Sequence, residues 1–141
     1  MDEMRVRAAE PGDAGAVLAF WQEAAEGVSV SDDLDGVRLL IRRDPEALLL
    51  AERGGEVVGT VIAGFDGWRC HLYRLAVAPW ARRQGVATAL LAAAERRFAE
   101  LGGRRVDAMV LDSNGLGRRA WSARGYGRQT DWARWVKPLK R

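Results

Sequence analysis

The residues around Gly85 carry the densest chemical signal in this 141-residue chain. In Leu75-Ala76-Val77-Ala78-Pro79-Trp80-Ala81-Arg82-Arg83-Gln84-Gly85-Val86-Ala87-Thr88 a strand-like apolar run ends at Pro79. A short loop follows, and helix-forming residues begin at Gly85. The first turn of a helix has backbone N–H groups without intrahelical partners and a partial positive charge. Gly85 and Ala87 are small, so a ligand can approach the backbone there, and Arg82 and Arg83 add full charges at the rim. This combination suits a pyrophosphate held mostly by main chain. An ordinary loop with a solvated arginine pair is the alternative. The spacing matches neither GxxxxGK(S/T) nor GxGxxG, which disfavours P-loop and dinucleotide-binding folds.

The elements that must position this loop follow from periodicity. Met4 to Ala8 reads as a short strand. Asp13 can cap a helix over Ala14 to Ala25, with Val17, Leu18 and Trp21 on one stripe. Gly27 to Asp33 reads as a loop, and Asp33 to Arg43 as a second helix stopped by Asp44-Pro45. The period then changes. Ala47 to Glu52 and Val57 to Phe65 are strands joined through Gly54-Gly55, a hairpin signal. Asp66-Gly67 turns into a third run, Arg69 to Val77. Gly85 to Leu101 is the strongest helix, with Val86, Leu90, Ala94 and Phe98 four residues apart and Gly102-Gly103 as its stop. Arg105 to Leu111 is a strand, Gly115 to Arg124 a short helix, and Tyr126 to Lys137 one or two final strands. The order β-α-α-β-β-β-α-β-α-β predicts an α/β mixed sheet with helices on both faces.

Composition sets the outer bounds. Hydrophobic residues at 48% and charged residues at 29% are ordinary for a globular chain and exclude disorder throughout. The length suits one domain spanning residues 1–141. Twenty-two basic against 19 acidic residues give a net charge of +3, a mixed surface rather than a nucleic-acid stripe. There is no run of about 18 apolar residues. The start, Met1-Asp2-Glu3-Met4-Arg5, lacks a signal-peptide pattern. The expectation is a cytoplasmic protein with no membrane or nucleic-acid partner. Cys70 and His71 are the only cysteine and histidine, too few for a disulfide or for a Cys/His metal site.

Arg82, Gly85 and Ala87 fit the Q/R-x-x-G-x-G/A signature of the GCN5-related N-acetyltransferase (GNAT) superfamily, which the chain resembles. Leu75-Ala76-Val77-Ala78-Pro79 looks like that family's fourth strand. Asn114, followed by Trp121-Ser122-Ala123-Arg124-Gly125-Tyr126, is similar to its N-…-Y-x-x-x-G-F/Y segment. The resemblance implies that the fourth and fifth strands splay apart and that acetyl-CoA lies in the cleft between them. The pantetheine arm would pair with Leu75, Ala76 and Val77. The pyrophosphate would rest on the amides of Arg83, Gln84, Gly85, Val86, Ala87 and Thr88, with Arg82 at the rim, and Asn114 and Trp121 would contact the cofactor arm. It implies acetyl transfer to a primary amine by direct attack, with no metal. An unidentified amine acceptor and a homodimer are among the partners it admits.

Two positions depart from the family pattern. The residue seven after the Asn, often a Tyr that protonates the leaving thiolate, is Trp121, whose indole N–H is no proton donor. The residue five before the same Asn, a Glu base in some relatives, is Met109. Asp107 is a fallback there. The family's other base position, four residues before Leu75, holds His71. Imidazole accepts a proton near neutral pH, so His71 is the candidate base, or else a hydrogen-bonded strand residue. Tyr73 is a second candidate, or else packing. Alternation puts His71, Tyr73 and Leu75 on one face and Cys70, a buried inert thiol, on the other. Trp21 reads as core and Trp80 as part of the cofactor loop. Trp132 and Trp135 read as strand packing or an acceptor wall. Ser29, Ser31, Asp32, Asp33 and Asp35 read as a solvated loop or as carboxylates that could hold an ammonium group. An acyl-CoA-binding module with weak turnover is the alternative to an N-acetyltransferase.

Overall fold

The computed structural model describes residues 3–24, 32–110 and 115–139. Five strands form one sheet in the order β1-β2-β3-β4-β5: β1 Met4–Ala8, β2 Leu48–Arg53, β3 Glu56–Phe65, β4 Cys70–Val77 and β5 Val106–Ala108. The first four are antiparallel neighbours, and β5 joins β4 in parallel. Helix α3 (Val86–Glu100) supplies the crossover that a parallel neighbour requires. The expected mixed sheet is present, with helices on both faces.

Alternation along the strands divides the core in two. Leu49, Ala51, Val61, Ala63, Cys70 and Leu72 face α3, where Val86, Leu90, Leu91, Ala94 and Phe98 complete a buried layer. Leu48 and Leu50 face the other way, toward α1 (Ala14–Ala24) and α2 (Leu34–Arg43), and meet Val17, Trp21, Val37 and Ile41. Arg97 of α3 hydrogen-bonds the Ala63 carbonyl and the Asp44 carboxylate, which ties α3 to β3 and to the end of α2. No helix among the described residues is long and apolar enough to cross a membrane.

Two expectations need correction. The fifth strand, expected over Arg105 to Leu111, is three residues, Val106–Ala108; Met109 and Val110 are not strand, and Leu111 lies outside the described residues. Residues 126–139, expected to form one or two strands after α4 (Gly115–Ala123), form none. Strand composition there finds no layer to bury against. Trp132 is 74% and Trp135 94% exposed, and every residue from 127 to 139 faces solvent. Strand-packing for those two tryptophans is therefore overturned, whereas Trp21 is buried as expected.

The outer edge of the sheet carries an ion network. Arg7 on β1 donates to both oxygens of Asp13 (2.8 and 2.9 Å) and of Glu52 (2.7 and 3.1 Å). Hydrogen bonding to this guanidinium holds both carboxyls below their ordinary range. Carboxyls lowered in the folded state stabilise it above the unfolded carboxylate pKa, and that stabilisation is lost as pH falls through the lowered values. Arg7→Met should therefore unfold at lower urea near neutral pH. It should also lose less further stability than wild type between about pH 5 and pH 2. Parallel wild-type and variant losses over that interval would show that the network is not what titrates.

Candidate active site

The site is organised by a break in the β3–β4 ladder. Ile62 pairs with Tyr73, but Thr60 pairs with Ala76, so Val61 lies opposite both Arg74 and Leu75. This is a β-bulge. Arg74 sits at φ +53°, in the left-handed region. The extra residue inverts the alternation. His71 and Tyr73 lie on the face opposite Cys70 and Leu72, whereas Leu75 and Val77 pack into the α3-side core. The expectation that Leu75 shares a face with His71 and Tyr73 is overturned by that one inserted residue.

Buried polar contacts hold the bulge. Thr60 Oγ1 donates to the Arg74 carbonyl (2.9 Å) and accepts from Trp21 Nε1 (2.9 Å). Thr60 is fully buried, the single polar residue so placed among the described residues. The Arg74 guanidinium pairs with Asp32 and lies 5.6 Å from the Trp21 ring centroid. Asp32 therefore already holds a cation, and Asp33 caps α2 by accepting from Gly36 N at 2.7 Å. Asp35 is exposed in the first turn of α2. Ser29 and Ser31 lie outside the described residues. Sequence reasoning missed Thr60 and Arg74. A lone hydroxyl in the apolar run Val57 to Phe65 was the available signal.

Beyond the bulge, β4 presents an open edge. β5 pairs only with Cys70, His71 and Leu72, and Met109 N donates to the Leu72 carbonyl at 3.1 Å. From Tyr73 to Val77 that edge has no strand partner among the described residues. The chain then passes through a 3₁₀ turn, Pro79–Ala81, which carries the half-exposed Trp80, and reaches α3. Arg83 (φ +63°) and Gly85 (φ +84°) both adopt left-handed backbone. No side chain caps the α3 N-terminus, so its first-turn amides are free of side-chain acceptors. A Cβ on Gly85 would meet nothing within 4 Å, so its φ, and not crowding, calls for glycine. At Gly59 the opposite holds: a Cβ would lie 2.6 Å from Val86 Cγ1 and 3.2 Å from the Ala76 carbonyl. That missing side chain seats the first turn of α3 on the sheet.

The loop's side chains are partly committed. Arg82 Nε donates to the Val77 carbonyl at 3.3 Å. Gln84 donates to the Trp80 carbonyl (3.2 Å) and accepts from Arg53, a third guanidinium beside the loop that sequence reasoning did not single out. Arg82, Arg83, Gln84 and Thr88 are exposed, Ala87 is half-buried and Val86 points into the core.

On the opposite face, His71 Nε2 lies 3.4 Å from Asp66 Oδ2. Asp66 Oδ1 accepts from the amides of Trp68 (2.8 Å) and Arg69 (2.6 Å). Those amides, with His71 contributing less, hold the Asp66 carboxyl below its ordinary range. The rings of His71 and Tyr73 are stacked with centroids 6.1 Å apart. Burial pushes the Tyr73 phenol up, so it stays protonated at neutral pH, with Arg134 opposing the shift. Asp107, opposite His71 in the ladder, receives both Arg105 Nε (2.9 Å) and Nη2 (3.2 Å). Its carboxylate is thus occupied by a guanidinium. Cys70 is fully buried, and burial raises its thiol, as expected of an inert residue.

Trp121 is 6% exposed in the α3-side core and meets Tyr126 edge-on at 5.0 Å. Glu95 of α3 accepts from the Tyr126 hydroxyl (2.8 Å) and pairs with Arg124, docking the end of α4 onto α3. Asn114 lies outside the described residues.

The model of the acetyltransferase (GNAT) family matches residues 16–126, and the chain belongs to that family. An acetyltransferase of Pectobacterium atrosepticum is 32% identical over 111 residues, 79% of either chain. One of Photorhabdus laumondii subsp. laumondii is 34% identical over 112 residues, 79% of this chain and 78% of the relative. Among solved structures, aminoglycoside N-acetyltransferase AAC(6′)-Iy in complex with CoA superposes with a TM-score of 0.79 at 18% identity, covering 99% of this chain and 97% of that one.

The Thr60 contacts give a direct test. Thr60→Val keeps the shape but strands the Trp21 indole N–H in the core. Urea unfolding should show a loss of about 1–3 kcal/mol, with Thr60→Ser losing less. A valine variant as stable as wild type would mean the hydroxyl does not hold the bulge.

Proposed function

We propose that this chain is an acetyl-CoA-dependent N-acetyltransferase, one domain over residues 1–141, that passes an acetyl group directly to a primary amine. The observation that carries this reading is the open β4 edge running into the uncapped start of α3. The residues fit CoA chemically. An amide-bearing arm can pair with the main chain of Leu75, Ala76 and Val77. A pyrophosphate can take the amides of Arg83, Gln84, Gly85, Val86, Ala87 and Thr88, where helix polarity favours an anion. Arg82 and Arg53 add charge at the rim. Asn114 and Trp121 complete the cofactor side by family register, with Trp121 acting through packing. When bound, acetyl-CoA supplies an activated thioester carbonyl.

The chain's own residues do the proton work on the other face of β4. An amine must lose its ammonium proton before it can attack, and His71 is the group that takes it. Tyr73, kept protonated, donates a hydrogen bond beside it. Asp107 is a poorer base because Arg105 already occupies its carboxylate. A second reading, an acyl-CoA-binding fold with weak turnover, draws on Trp121 and Met109 standing where relatives carry an acid and a base. Release of CoA from acetyl-CoA with a panel of primary amines separates the two readings. Sustained turnover supports the first.

Two variants test the assignments separately. Gly85→Val forces a β-branched residue into left-handed backbone and puts a side chain where the anion approaches. CoA affinity by calorimetry should fall about tenfold or more, and wild-type affinity should weaken as salt rises. Unchanged affinity would move the phosphate site elsewhere.

His71→Ala should lower kcat/KM by about 10²-fold while acetyl-CoA affinity stays intact. A near-normal rate in the alanine variant would remove His71 from the base role.

A further inference from the structure

We propose that Asp66 is a positioning residue for His71: its carboxylate holds the imidazole proton on Nε2 and leaves the Nδ1 lone pair to receive the acceptor's proton. This inference rests on the reading of His71 as the base. It draws on a division of labour between the two Asp66 oxygens. Oδ1 is committed to the tight turn between β3 and β4, accepting from Trp68 N at 2.8 Å and Arg69 N at 2.6 Å. Oδ2 alone faces the ring, 3.4 Å from Nε2. An ionised carboxylate only accepts, so the nitrogen it faces must carry hydrogen. The neighbouring nitrogen is then the free one.

The other groups around the ring do not compete for Nε2. Tyr73 stacks on the imidazole from β4 itself. From β5, Asp107 is the ladder partner, but its oxygens receive Arg105, and Arg69 approaches at 4.0 Å. From β3, the ladder partner is Gly64, which brings no side chain. Arg134, from the segment after α4, acts on the Tyr73 hydroxyl.

The proton balance is simple. The N–H bond of the acceptor ammonium breaks and an Nδ1–H bond forms, leaving a neutral amine and an imidazolium. The carboxylate faces the positive ring through Nε2–H, and Nδ1–H later returns its proton to water. Asp66 is fixed by main-chain amides before any substrate arrives, so it orients the ring without reorganising.

Because His71 is the only histidine, its two ring nitrogens can be read directly in the ¹⁵N-labelled whole protein by two-bond ¹H–¹⁵N spectra. The decisive variant is Asp66→Asn. Its Oδ1 can keep both turn hydrogen bonds, but its other atom becomes an NH₂ donor facing Nε2. The neutral ring should then move its hydrogen to Nδ1. With the base nitrogen blocked, kcat should fall about 10²-fold and the KM for acetyl-CoA should hold. A ring that keeps its hydrogen on Nε2 in Asp66→Asn overturns the proposal, and so does a fall in kcat without a change of tautomer. If the tautomer changes while kcat stays flat, Asp66 positions His71 as stated and the base reading of His71 is what fails. Should the asparagine variant not fold, Asp66→Ser keeps a turn acceptor and removes the charge. Without an anionic acceptor at Nε2, its ring should lose the preference for hydrogen on Nε2 in the same two-bond spectra and kcat should fall. A ring still held as the Nε2–H tautomer in Asp66→Ser overturns the proposal.

Discussion

One inserted residue in β4 governs the arrangement of everything near the site. Without the bulge opposite Val61, strict alternation would send Leu75 to the face of His71 and Ala76 into the α3 layer. With it, the strand shows His71 and Tyr73 to one side and then turns Leu75 and Val77 into the α3-side core. Holding Arg74 in left-handed backbone costs about 1–3 kcal/mol. The offset comes from contacts gathered at the bulge: a buried hydroxyl bonding strand to strand, an indole bonding that hydroxyl, and a guanidinium paired to Asp32. Helix α1, β3, β4 and the approach to α2 converge on this point. A disturbance in any of them reaches the bulge.

The start of α3 is constrained by a second set of local requirements, and the two sets meet. Gly59 pairs with Val77 just beyond the bulge and gives Val86 room to seat the helix. The sheet therefore fixes where the bare helix N-terminus lies relative to the open β4 edge. Left-handed backbone at Arg83 and Gly85 turns the loop sharply between them. Three guanidiniums (Arg53, Arg82 and Arg83) border a turn of main-chain amides. In the proposed cofactor site the charge comes from side chains on the rim and the contact surface is backbone, while glycine at position 85 is required by its left-handed φ of +84°.

Much of this was legible in the sequence because it is local. The Gly85 loop, the α3 stripe, the Gly54-Gly55 hairpin and the burial of Trp21 and Cys70 each follow from residues close together in the chain. The bulge is not local. It exists only in the pairing of β3 with β4, and nothing between His71 and Val77 announces an inserted residue. Arg53 was invisible for the same reason, since it reaches Gln84 across 31 positions. The error after α4 has a different cause. Trp132, Trp135 and Val136 have strand composition, but composition forms a strand only where a neighbour and a core layer are available. Here the segment finds neither, and Gly127 and Pro138 interrupt it.

The placement of Trp121 bears on how the two faces of β4 share the chemistry. Its indole is packed against Tyr126 in the core, where it can shape an apolar wall but offers no transferable proton. In the proposed reaction the two proton transfers are not equally demanding. A typical alkyl ammonium titrates near ~10.4 and a thiol near ~8.5. At neutral pH the amine is overwhelmingly protonated and must be activated, whereas a thiolate departs tolerably without an acid. A site that invests in the base side loses little by leaving the acid side apolar. The described residues follow that asymmetry: Asp66, His71 and Tyr73 cluster on one face of β4, and on the other face Leu72, Leu75 and Val77 pack into the α3-side core.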